Sequence, residues 1–132
     1  MKFLLDTQIW LWSRSAPKRI SRRVGRILSD PRHELWLSPV SLWEVILLHR
    51  KGRVALRDGP SAWISHALSV APFREAPLTH EVALATEDVL LSHLDPADKL
   101  LAATAKVYGL TLITADENLI SGKGYSVLAN QT

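Results

Sequence analysis

Residues 95–118 read DPADKLLAATAKVYGLTLITADEN, and the fold class follows from their order. Asp95 is a residue type that caps helices, Pro96 suits the first helical position, and Gly109 is a natural stop. Thr111 to Thr114 is then a β-branched, apolar run of the length expected of a central strand. A helix that feeds a neighbouring parallel strand runs antiparallel to it. The start of the helix, with Asp98, is therefore expected at the same sheet edge as the end of the strand, with Asp116. Topology alone brings two carboxylates to one rim.

Upstream of this stretch, Lys2 to Leu5 reads as a buried strand that ends at Asp6-Thr7, and Ile9 to Trp12 as the start of a short helix. Ile20, Val24, Ile27 and Leu28 recur at helical spacing within a basic segment. This segment is expected to form a helix from Arg14 to Arg26, with six positive residues and no acid. Leu35 to Leu37 reads as a second strand, Ser38-Pro39 opens a helix to about His49, and Pro60 to Val70 forms another. Phe73 to Leu78 is a third strand, confined by Pro72 and Pro77. Thr79 caps a helix expected from His80 to about Ser92, and Tyr125 to Leu128 is an edge strand. Strands alternating with helices predict an α/β/α sandwich around a parallel sheet, with residues 1–132 as one domain.

The 132 residues suffice for a single core. With no cysteine there is neither a disulfide framework nor a thiolate metal site, which fits a reducing cytoplasm. The N-terminus has no signal-peptide pattern, and the apolar runs are too short to cross a bilayer. A net charge of +3 permits a nucleic-acid partner without requiring one.

Ligands of open parallel sheets bind beyond the carboxyl ends of the strands. Asp6 ends the first strand, and Glu44 lies about six residues, or roughly 9 Å, into the helix that leaves the second. With Asp98 and Asp116, four carboxylates are assigned to one edge. Such a set describes a hard-cation site for Mg²⁺ or Mn²⁺, which take oxygen ligands and bind together with substrate phosphate. Clustered acids raise one another's pKa unless a cation neutralises them. A metal placed there can activate water and stabilise charge on a phosphodiester. Asp95 reads as a cap and Glu117 as solvated. Thr7, Ser41 and Thr114 are candidate hydroxyl partners of the acids.

The ordered set LLDT, SLWEV, DPADKLLAATA and TLITADE resembles the PIN-domain ribonucleases, and more narrowly the VapC-type toxins of toxin–antitoxin modules. The resemblance spans essentially the whole chain. It implies a PIN-like α/β/α sandwich and Mg²⁺- or Mn²⁺-dependent endonucleolytic cleavage of RNA, leaving 5′-phosphate and 3′-hydroxyl ends. It also implies a homodimer and a cognate antitoxin whose tail occupies the acidic groove. The family's acidic positions fall on Asp6, Glu44, Asp98 and Asp116, and its accompanying hydroxyl on Thr114. Lys99 stands where these toxins usually carry Arg, which keeps the charge but loses bidentate phosphate geometry. Gln8 stands where His is common.

Arg14, Lys18, Arg19, Arg22 and Arg23 are candidate contacts to the RNA backbone, with a solvated helix face as the plain alternative. Trp10, Trp12, Trp36 and Trp43 sit in apolar runs and read as core or dimer packing. The five His residues lack ligand spacing, and His80 and His93 read as surface or capping groups. A receiver-type signalling module would need paired acids after the first strand, but Asp6 is followed by Thr7. A catalytically silent PIN scaffold is the other alternative, against which the four-acid set argues.

Overall fold

A computed structural model describes residues 1–93 and 95–131. Five strands form one sheet in the order β3-β2-β1-β4-β5: β1 (Lys2–Leu5), β2 (Glu34–Leu37), β3 (Arg74–Glu75), β4 (Thr111–Thr114) and β5 (Ser126–Ala129). Every pairing is parallel, with Leu4 opposite both Trp36 and Leu112. The chain builds outward from β1 through β2 to β3, then crosses back to place β4 on the other flank of β1. The strand order therefore reverses between β1 and β4, where a crevice opens at the carboxyl ends.

Seven α-helices are found among the described residues: α1 (Thr7–Ser15), α2 (Arg22–Ser29), α3 (Pro39–Arg50), α4 (Gly59–Val70), α5 (His80–Ala85), α6 (Pro96–Tyr108) and α7 (Glu117–Ile120). Alternation along the strands divides the core between the two faces. Phe3, Leu5, Leu37 and Ile113 pack with Ile9, Trp10, Val24, Val45 and Ile64 on one face. Leu4 and Leu112 pack with Ala97, Leu101, Ala102, Ala105 and Leu119 on the other. The result is a three-layer α/β/α sandwich. Small residues on α6 let that helix lie close to the sheet. No helix of the described residues is long and apolar enough to cross a membrane.

The organising stretch folds as its residues dictate. Asp95 Oδ1 accepts from the backbone N–H groups of Ala97 and Asp98 at 3.0 and 3.3 Å, satisfying two of the unpaired donors at the start of α6. Gly109 ends the helix at φ 65°, a left-handed conformation that glycine adopts without side-chain strain.

Three expectations need correction. The basic segment is not one helix: α1 stops at Ser15, a single 3₁₀ turn covers Pro17–Arg19, and α2 begins at Arg22. Pro17 cannot continue a helix, and the Ser21 side chain caps α2 by accepting from Val24 N–H. The helix capped by Thr79 ends at Ala85, with a 3₁₀ turn to Asp88, rather than reaching Ser92. Val89 is then drawn into the core, and Leu90 makes an antiparallel bridge with Lys123. The strand predicted over 73–78 pairs only at Arg74 and Glu75, between the two prolines. Of the tryptophans, Trp10 is fully buried against Trp63 and Phe73, whereas Trp43 is 53% exposed and lies outside this chain's core.

Candidate metal centre

The crevice between β1 and β4 is a cavity of about 320 Å³ lined by Asp6, Glu44, Asp95, Asp98 and Asp116, with Thr7, Gln8, Trp12, Leu48 and Ala115. Each acid arrives from a different element. Asp6 is the residue after β1, and its N–H donates to Ile113 O at 3.0 Å, which extends the sheet by one bond. Glu44 comes from the second turn of α3, Asp98 from the first turn of α6, and Asp116 from the turn after β4. Asp116 also caps α7 by accepting from Asn118 N–H at 2.8 Å. Asp95 caps α6 and reaches the cavity wall as well.

Hydroxyls fix the carboxylates. Thr114 donates to Asp6 Oδ2 at 2.7 Å while accepting from the Asp116 backbone N–H at 3.0 Å, so one side chain holds both sheet-end acids in register. Thr7 lies 2.9 Å from Ser41 Oγ and 2.5 Å from Glu44 Oε1, tying α1 to α3. Ser41 is buried behind this contact, one turn before Glu44.

His93, expected as a surface or capping group, is half-buried against an acid. Its Nε2 lies 2.8 Å from Asp98 Oδ2, and one donor atom from each of His93, Asp98 and Asp116 falls within a 4.8 Å cluster. The available signal was its position five residues before Asp98, at the mouth of the helix that presents that acid.

The remaining candidates are placed less directly. Lys99 is half-buried beside Asp98 but does not line the cavity. Arg14, Lys18, Arg19, Arg22 and Arg23 are exposed and also lie outside it. Arg19 borders an adjoining cavity that shares Gln8, Trp12 and Leu48 with the acidic one, and its guanidinium sits 4.1 Å from the Trp12 ring centroid. Of the basic set, Arg19 is thus the one anchored next to the acids.

The electrostatics are strained in one direction. Burial pushes Asp6 from its ordinary 3.8 up to about 7, opposed by the Thr114 hydrogen bond and reinforced by Asp98 and Glu44. Burial likewise raises Glu44, against the Thr7 bond and with added repulsion from Asp98 and Asp95. Asp98 is raised by burial first, with His93 opposing and Asp95 and Asp116 adding to it. Among the described residues no Lys or Arg lines the cavity. Buried acids without a positive neighbour suit a hard divalent cation, which supplies the missing charge and takes carboxylate oxygens.

The support from Thr114 carries a prediction. Thr114→Val is expected to lower stability by about 1–3 kcal/mol at pH 8, because it leaves a buried carboxylate and the Asp116 N–H short of a partner. The loss is expected to shrink toward pH 4, where Asp6 is protonated. Urea unfolding at the two pH values, without divalent metal, measures it.

A parallel α/β/α domain with convergent carboxylates at its topological switch point belongs to the class of acidic-edged domains suited to binding a divalent cation. A profile of the PIN domain matches residues 3–123. Ribonuclease VapC22 of Mycobacterium tuberculosis is 31% identical over 120 residues, covering 89% of each protein. This chain belongs to the PIN-domain family. Among solved structures, VapBC2 from Rickettsia felis, bound to a promoter DNA fragment, superposes with a TM-score of 0.74 at 14% identity, covering 99% of this chain and 100% of the other. A toxin-antitoxin complex from Klebsiella pneumoniae gives 0.66 at 19% identity, covering 98% of both. At these identities the structural likeness concerns the fold.

Proposed function

We propose that this chain is a divalent-metal-dependent endoribonuclease that acts as the toxin of a toxin–antitoxin pair. The observation that carries the proposal is the convergence of Asp6, Glu44, Asp98 and Asp116 on one cavity with three of them held above their ordinary pKa values. The 31% identity to a VapC ribonuclease and the fold shared with toxin-antitoxin complexes support it.

Asp6, Glu44, Asp98 and Asp116 would hold Mg²⁺ or Mn²⁺. When bound, the ion supplies positive charge beside the scissile phosphate and a water of lowered pKa. The chain's own groups do the positioning. Thr114 and Thr7 keep the Asp6 and Glu44 oxygens aimed into the cavity, while the indole of Trp12 and the side chain of Leu48 form its apolar wall. Lys99 and Arg19 are offered as cations for the RNA backbone, with Arg14, Lys18, Arg22 and Arg23 as a more diffuse attraction. Fixed carboxylates that orient the attacking water leave no need for a protein general base. The antitoxin would occupy this acidic cavity with a basic group, and the toxin would act as a homodimer.

The end chemistry of the product tests the route. Water attack at phosphorus is expected to leave 5′-phosphate and 3′-hydroxyl ends on a labelled RNA. A 2′,3′-cyclic phosphate, which arises from attack by the substrate's own 2′-hydroxyl, would overturn the proposed chemistry.

A further inference from the structure

We propose that His93 is a nitrogen ligand of this metal centre and biases it toward Co²⁺ and Mn²⁺ over Mg²⁺. The inference rests on the metal-dependent reading above and extends it to a residue outside the four-carboxylate set.

The geometry of three donors carries it. An ion with ligand bonds of roughly 2.1 Å in an octahedral shell has adjacent ligand atoms roughly 3.0 Å apart and opposite ones roughly 4.2 Å apart. His93 Nε2 and Asp98 Oδ2 are separated by 2.8 Å, close to the adjacent spacing. The donor atoms of His93, Asp98 and Asp116 all fall within 4.8 Å of one another, so small side-chain adjustments bring the three onto one ion. A hydrogen bond between a surface His and a cap-region Asp would not by itself require Asp116 to join the cluster.

The loop that carries His93 is tied down at two points. Leu90 and Lys123 exchange two backbone hydrogen bonds of 2.9 Å, and Ser92 Oγ donates to Asn118 Oδ1 at 2.9 Å. Asn118 N–H in turn donates to Asp116 Oδ1. The residue before His93 is therefore connected to Asp116 through a single residue, Asn118, which holds the loop beside the acids. The other ring nitrogen, Nδ1, is enclosed with no hydrogen-bond partner among the described residues, so the ring is oriented through its contact with Asp98.

Chemistry then sets the selectivity. Carboxylate oxygens suit Mg²⁺ and Mn²⁺ alike, whereas imidazole is a poor ligand for Mg²⁺ and a good one for later first-row ions, in the order Mn²⁺ below Co²⁺. Outer partners that orient metal-binding His are worth about 10–100-fold in affinity. Nδ1 has no such partner among the described residues, so His93 is expected to be a modest ligand whose loss weakens Co²⁺ on the order of 10-fold.

Calorimetric titration of Mg²⁺ and Co²⁺ into the full chain, with the visible spectrum of bound Co²⁺ recorded alongside, tests the assignment without a cleavage assay. His93→Ala and His93→Gln are each expected to weaken Co²⁺ about 10-fold, to leave Mg²⁺ within about 2-fold, and to shift the Co²⁺ spectrum. Unchanged Co²⁺ affinity in both variants overturns the proposal. So does equal weakening of both metals by His93→Ala with recovery in His93→Gln, which would make His93 a positioning residue that only hydrogen-bonds Asp98. Failure of the underlying reading looks different: wild type would bind neither ion, or Asp98→Asn would leave binding untouched.

Discussion

Asp6→Asn is expected to slow RNA cleavage by at least about 100-fold, or about 2.7 kcal/mol of transition-state stabilisation, while making the metal-free protein more stable at pH 8. The two effects share one cause. Asp6 is 7% exposed, lies against Asp98 and Glu44 in charge, and is raised to about 7 chiefly by burial. An anion there is useful to a cation but costly to a fold without one. Asn keeps the size and can still bond the Thr114 hydroxyl, yet it offers no charge for an ion. Thermal unfolding in chelator at pH 8 is expected to show a higher midpoint for the variant. At pH 4 the advantage is expected to vanish, because Asp6 is then protonated in the wild type too. A variant that is inactive and also destabilised at pH 8 would instead indicate that Asp6 is a structural acid accepting bonds at a strand end.

Stability of the metal-free wild type is expected to fall as pH rises from about 4 to 8, and divalent metal is expected to reverse that fall. The sign follows from the direction of the shifts. A carboxyl whose folded pKa exceeds its unfolded value binds its proton more tightly in the native state, so its contribution is fully present below the unfolded value. It is lost as pH rises through the folded one. For Asp6 the window runs from 3.8 to about 7, worth roughly 4 kcal/mol if the residue titrates alone. Glu44 and Asp98 shift in the same direction. A bound ion inverts the balance, adding about 2.7 kcal/mol at a hundredfold excess over its dissociation constant. Protons and metal compete for the same oxygens, so Mn²⁺ is expected to raise the unfolding midpoint more at pH 8 than at pH 5. Calorimetric scans across pH, with and without Mn²⁺, measure both. Equal Mn²⁺ effects at the two pH values would contradict the assignment of these raised carboxyls as the binding groups.

Much of the frame was legible because local and global preferences agree. DPADKLLAATAKVYGLTLIT carries its own cap, small-residue helix face, left-handed stop and central strand, and the structure places all four as read. The rule that ligands sit beyond strand carboxyl ends then brought Asp6 and Asp116 to one edge without any long-range contact being known. Pro17 and Ser21 were equally readable signals, but the apolar spacing of Ile20, Val24, Ile27 and Leu28 hid the break they impose. The end of α5 was not readable in the same way. Its helical pattern runs on past Ala85, and what stops it is the bridge from Leu90 to Lys123, a partner 33 residues away in sequence. His93 reads as a surface or capping group for a related reason: its place beside Asp98 depends on that loop closure and on Asn118, and a lone His carries no periodic signal.

The acidic cavity is proposed as a metal-dependent ribonuclease site. The most direct measurement is cleavage of a mixed RNA pool by wild type and Asp6→Asn, each with Mg²⁺ and each with EDTA. Fragmentation by the wild type in Mg²⁺ alone is the predicted result. Equal cleavage by both proteins, or none by the wild type with metal present, would contradict it.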